Sequence, residues 1–198
     1  MAMAQERTEI LIQRLTTSVA ALQKWAENLQ NVDNGLLLQQ PAAGQWSVAQ
    51  VLEHLNSYGR YYLPEIKKII HQGAGTKPLP VFTPGWLGNY FTKTMQLGQT
   101  GEVVNKMQAP RDHRPVAALH AQQVLRTFIR QQQELRDLLA AAGKVNLVRL
   151  KVPISIARFV TIRLGDTFRF MIAHAQRHQR QAQKTLIAVT SPIISDNG

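Results

Sequence analysis

Trp46-Ser47-Val48-Ala49-Gln50-Val51-Leu52-Glu53-His54-Leu55 holds a complete helix start. Ser47 offers a side-chain acceptor to the orphan amides of a first turn, and Gln50, three residues on, completes a capping box. Trp46 before the cap and Val51 after it are placed for a hydrophobic staple. From there Val51, Leu55, Tyr58, Tyr62, Ile66 and Ile69 recur at intervals of three and four, the period of one helix face, up to a stop near Gly73. Pro64 removes an amide donor inside this run, so a kink is expected there and not a break.

Three more helices read outward from this one. Leu11, Leu15, Ser18, Leu22, Trp25 and Leu29 form a bundle seam over residues 5–30, ended by Asn34-Gly35. A third helix is expected from Asp112–Pro115, with Leu119, Val124, Phe128, Leu135 and Leu139 on its apolar side and Gly143 just past its end. The fourth is expected to start on Asp166 as a cap and to bury Phe168, Met171, Ile172, Ala175, Ala182 and Leu186. About forty residues rich in Gly and Pro, Gly73 to Arg111, separate helices two and three. A connection that long predicts a short helix near Trp86–Leu97 and a cover over one bundle end. The stretch 144–164 is a second long connection, open to either a short strand or a helical turn. The expected fold is all-α, a four-helix bundle in one domain over residues 1–190, with a frayed tail at 191–198.

Composition narrows the chemistry. The 198-residue chain has no cysteine, which removes disulfides, thiolate nucleophiles and every Cys-based zinc site. No apolar run approaches a membrane span, and the N-terminus lacks the pattern of a secretory signal, so a cytoplasmic protein is expected. The net charge of +11 is lopsided: residues 1–99 hold 8 basic against 6 acidic residues, and residues 100–198 hold 15 against 6. Such a field favours an anionic partner, a carboxylate or phosphate substrate, an acidic thiol cofactor or nucleic acid; a solvated basic surface is the plainer account.

His174 and His178, four apart on the fourth helix, project from one face. His54 flanks the apolar stripe of the second helix. One histidine from one helix and two from another resembles the way bundles assemble metal sites, leaving a coordination position open. The alternative is that each is a core or boundary histidine bonded to a carbonyl. His71, at a helix end, His113, by a helix start, and His120, on the third helix, are expected to stand aside.

The segment from Trp46 to Leu55 resembles the DinB-like pattern of a Trp-Ser helix start leading to a His-Leu pair. Gly165-Asp166 followed by His174-Ala175-Gln176-Arg177-His178-Gln179-Arg180-Gln181 is similar to that family's last helix, with its paired His and following Gln. Ala109-Pro110 before the third helix fits as well. The resemblance implies a four-helix bundle of unusual connectivity, often a homodimer, with a three-His metal site whose ligands here are His54, His174 and His178. Characterised relatives include transferases that use bacillithiol or mycothiol and a thiol-dependent isomerase, while fold and metal alone leave the substrate open.

The leading expectation is therefore a metal-dependent transferase or hydrolase that activates an external low-molecular-weight thiol or water. Zinc or nickel suits imidazole ligands, with manganese and iron also admitted. Arg163, Arg169, Arg177 and Arg180 are candidates to hold substrate carboxylates, although each is also a candidate solvated face; Arg177 points about 100° away from His178 on an ideal helix. Tyr58 is a candidate proton donor as well as a core residue. The other classes are a non-catalytic metal-binding or dimerising scaffold and, third, nucleic-acid binding. Against the third, Trp25, Trp46 and Tyr62 read as packing residues, with no recognisable reading helix.

Overall fold

The computed structural model describes residues 5–98, 100–103 and 108–191. Helices dominate, as expected, but two short antiparallel sheets join them. In chain order the elements are β1 (Glu6–Arg7), α1 (Thr8–Leu29), α2 (Asn34–Leu38), α3 (Val48–Gln72), β2 (Val81–Phe82), α4 (Trp86–Met95), α5 (Ala121–Ala142), β3 (Lys151–Ile154), β4 (Ala157–Arg163) and α6 (Leu164–Thr190). β1 pairs with β2, and β3 with β4. No helix among the described residues is long and apolar enough to cross a membrane. The tail expected to fray lies outside the described residues from 192 onward.

α3 begins as its sequence dictates. The Ser47 side chain accepts from the Gln50 amide at 3.2 Å, and the Gln50 side chain accepts from the Ser47 amide at 3.0 Å. The helix runs unbroken through Pro64. In α1 the buried stripe is Leu11, Leu15, Val19, Leu22, Ala26 and Leu29, so Ser18 and Trp25 give way to the residues beside them. Of the long connections, 73–111 contains α4, close to the expected Trp86–Leu97, and 144–164 contains the β3–β4 hairpin.

Three expectations are corrected. The third long helix, α5, starts at Ala121, because Arg111–His113 form a single 3-10 turn and Arg114 is extended before Pro115, where proline disfavours a helical residue. Asp166 does not cap α6. It lies inside the first turn, fully buried, and its carboxylate accepts from the Gly85 amide at 2.7 Å and pairs with Arg169 at 2.8 Å. Asn34-Gly35 does not end α1, which stops at Leu29; those residues open α2, capped by Asp33.

The long helices α1, α3, α5 and α6 pack with α5 between α1 and α3, and with α6 against both α1 and α3. Their apolar side chains form two clusters. One joins the start of α1 (Leu11, Leu15, Val19) to the ends of α3 and α5 and the start of α6 (Leu164, Phe168, Ile172). The other joins the end of α1 to the starts of α3 and α5 and to Ala175 and Ala182 of α6. Chain direction follows: α1 and α6 run one way, α3 and α5 the other.

Ser47→Ala removes one half of the capping box and is expected to destabilise the protein by about 1 kcal/mol. A urea unfolding curve checks this: the midpoint falls while the slope is unchanged.

Candidate metal centre

The two apolar clusters meet between α3 and α6, and the polar side chains gather at that seam. His54 on α3 is 2% exposed, His174 on α6 is 4% exposed, and His178 is partly exposed one turn further on. One ring nitrogen from each lies within 4.8 Å of the others. The three rings stand edge to face, with centroids 5.1 Å apart for His54 and His174 and 4.6 Å for the other two pairs. Thus the three histidines singled out from spacing converge.

The outward nitrogens are held by the protein. His54 Nδ1 lies 2.7 Å from the His113 carbonyl, and His178 Nδ1 lies 2.8 Å from the Gln181 amide oxygen. A carbonyl only accepts, so each Nδ1 carries the proton and each Nε2 keeps its lone pair. His54 Nε2 then faces His174 Nε2 at 3.2 Å. Burial, which penalises the charged imidazolium, sets the protonation: it lowers His54 to about 4 and His178 to about 3, and drives His174 well below its ordinary value. Mutual repulsion among the rings adds to this. Three neutral imidazoles whose ring nitrogens converge are a donor set for a divalent cation.

Aromatic rings enclose the cluster. Tyr58 lies 4.5 Å from His174, Phe170 stacks on it at 5.7 Å, and Trp46 lies 5.1 Å from His54. Burial raises the Tyr58 phenol, so it stays protonated. The histidines form part of the wall of a cavity of about 1140 Å³, walled also by α4, the 108–115 segment and the β3–β4 hairpin.

Several residues were misjudged from sequence. His113 does not stand aside. It is 6% exposed, stacks on Tyr58 with centroids 3.8 Å apart, and is clamped between Ser57 at 2.8 Å and Ser155 at 3.0 Å, which fixes the carbonyl that orients His54. Gln181, quoted only as part of a motif, orients His178. Arg177 is buried and lines the cavity despite its angle from His178, because α6 is covered by α1, α3 and α4 and so has more than one inward face. The signal for it was a second, polar stripe, Arg177-Gln181-Lys184, spaced 4 and 3. Arg163 and Arg169 serve the fold, bonding the Thr83 carbonyl and Asp166 with Asn89 respectively. Arg180 is partly buried and does not line the cavity; His71 and His120 are exposed.

Fold and site together define a mostly helical protein with a three-histidine cluster shared by two helices. The chain belongs to the DinB superfamily, whose family model matches residues 6–182. No curated protein and no solved structure matches the chain.

Because the folded protein refuses protons that an unfolded imidazole accepts below about 6.5, the cluster's contribution to stability is complete above that pH. It is lost as the pH falls toward the folded values of about 4 and 3. Protein stripped with chelator is therefore expected to show a urea midpoint that drops between pH 7 and pH 5, and His54→Gln to flatten the drop.

Proposed function

We propose that His54, His174 and His178 bind one divalent metal ion and that the protein is a metal-dependent transferase or hydrolase acting on a substrate in the adjoining cavity. One observation carries this reading: three imidazole ring nitrogens within 4.8 Å of one another, at the wall of a cavity large enough for a substrate. The donor set fits the ion. The rings are neutral, and two have their tautomers fixed by outer hydrogen bonds that leave Nε2 of His54 and of His178 as a donor to the ion. Imidazole ligands favour zinc or nickel, and manganese or iron are accommodated by the same nitrogens. Such an ion, when bound, supplies Lewis acidity that lowers the pKa of a thiol or a water molecule near neutral pH.

The chain's own residues do the rest. Tyr58, kept protonated, is placed to donate a hydrogen bond to a group held beside His174. Trp46 and Phe170 exclude water from the rings, which strengthens the electrostatics of the site. With no cysteine in the chain, any thiol is an external cofactor, and the basic side chains on the cavity wall favour one that carries carboxylates. The family relationship extends the proposal to a four-helix bundle of DinB-like connectivity in a single domain, assembled as a homodimer; sedimentation tests the last point.

Protein purified without an affinity tag or added metal is expected to carry about one equivalent of metal, lost in His54→Ala and His178→Ala. A parent that is metal-free and takes up neither zinc, nickel nor manganese overturns the site. Turnover of an electrophile with a panel of small thiols separates an enzyme from a metal-binding scaffold. Gln181→Leu removes the outer hydrogen bond to His178, and is expected to weaken metal affinity by about 10- to 100-fold, read by competition with a chromogenic chelator.

A further inference from the structure

Ser155 closes a chain of hydrogen bonds that begins in the core and ends at the cavity. Ser57 Oγ lies 2.7 Å from the His54 carbonyl and 2.8 Å from His113 Nδ1. Across the same ring, His113 Nε2 lies 3.0 Å from Ser155 Oγ. One arrangement of protons satisfies every one of these contacts. A carbonyl only accepts, so Ser57 donates to it and accepts in turn from His113 Nδ1. The Nε2 lone pair is then left to accept the Ser155 hydroxyl. The opposite tautomer would take the Ser57 proton for Nδ1 and set two oxygen lone pairs against each other at 2.7 Å. The imidazole is held in this orientation by its stack on Tyr58, with centroids 3.8 Å apart.

The two ends of the chain differ in access. His113 is buried behind the cavity wall, whereas Ser155 is half-buried and lies on that wall between Ile154 and Ile156. Ser155 opens the turn between β3 and β4, and its amide is pinned to the Tyr62 hydroxyl at 3.2 Å. We propose that Ser155 is a nucleophile with His113 as its base, and that the cavity cleaves carboxylic esters with an apolar acyl group. Ser57 is a positioning residue, which fixes the tautomer of the base. The apolar wall beside Ser155, made by Ile154, Ile156 and the Tyr62 ring, suits the acyl chain. Ser155 Oγ bonds to the carbonyl carbon and passes its proton to His113 Nε2. The bond from that carbon to the alkoxy oxygen breaks, and the proton leaves with the alcohol. Water then cleaves the acyl-serine by the same route, releasing the acid and restoring the hydroxyl. The inference takes from the proposed function only that the cavity admits a substrate, and it needs no metal.

An alkyl fluorophosphonate tests the nucleophile, on metal-loaded and chelator-treated protein alike. Attack on phosphorus expels fluoride and leaves a stable adduct, which peptide mass spectrometry assigns to a residue. Ser155 is expected to carry it, and His113→Gln to slow its formation by about 100-fold or more. Release of nitrophenolate from p-nitrophenyl butyrate is expected to fall by about as much in Ser155→Ala. Nitrogen NMR of the isotope-labelled parent needs no variant, and is expected to show His113 protonated on Nδ1. No adduct on Ser155, undiminished labelling in folded His113→Gln, or a proton on Nε2 overturns the inference. Nitrophenolate release that depends on added metal and persists in Ser155→Ala overturns it while leaving the metal site intact. Labelling of Ser155 in a parent that takes up no metal overturns the metal site and leaves the inference standing.

Discussion

Burial of three imidazole rings between α3 and α6 is the constraint around which the rest of this structure is arranged. A buried ring nitrogen with nothing to bond is costly, and a buried imidazolium more so, so the rings are neutral and the outward nitrogens of His54 and His178 are bonded. That requirement reaches well beyond the two helices. The bond to His54 comes from the carbonyl of His113, in the segment before α5, and His113 in turn is held by Ser57 of α3 and Ser155 at the end of β3. The hairpin is fixed from a second side, where the Ser155 amide donates to the Tyr62 hydroxyl at 3.2 Å. Long connections that look dispensable in a helical protein are thereby built into the cluster.

α4 is tied in by a separate polar contact. The Asp166 carboxylate, buried at the start of α6, accepts from the Gly85 amide at the start of α4 and pairs with Arg169, which also reaches Asn89. Burial raises the Asp166 carboxyl, and the amide and guanidinium oppose that rise. Removing the guanidinium would leave a buried acid short of partners, so the contact has the character of a fixed lock. It sets α4 beside α6, and α4 then brings Phe91 and Met95 to the cavity wall.

Sequence revealed the parts of this design that are local or periodic. The capping box of α3, the apolar stripes of α3 and α5, and the short helix in the first connection all follow from spacing and hydrogen-bonding chemistry within a few residues. His54, His174 and His178 were legible for a related reason: imidazole is scarce, chemically distinctive and informative when it recurs at helical spacing. Contributions that pass through the backbone or across long separations were not legible. The carbonyl of His113 could belong to any residue type, so nothing in the sequence marks it. Asp166 looks like a cap, and only the fold shows its partner 81 residues away. The angular argument against Arg177 assumed that a helix has one inward face, and α6 has several neighbours.

The same distinction applies to the basic second half of the chain. Counted as charge, it suggests one cationic surface. Placed in the fold, the cations disperse into different tasks. Arg163 holds a backbone carbonyl of the connection before α4, Arg169 holds Asp166, and the Arg158 guanidinium sits 5.5 Å from the Tyr61 ring centroid. Arg177 and Lys184 line the cavity. Net charge adds these contributions as if they were interchangeable, yet a guanidinium committed to a buried carboxylate offers little field to a partner. The charge imbalance is therefore no single field, and each cation has to be weighed by what it touches in the fold.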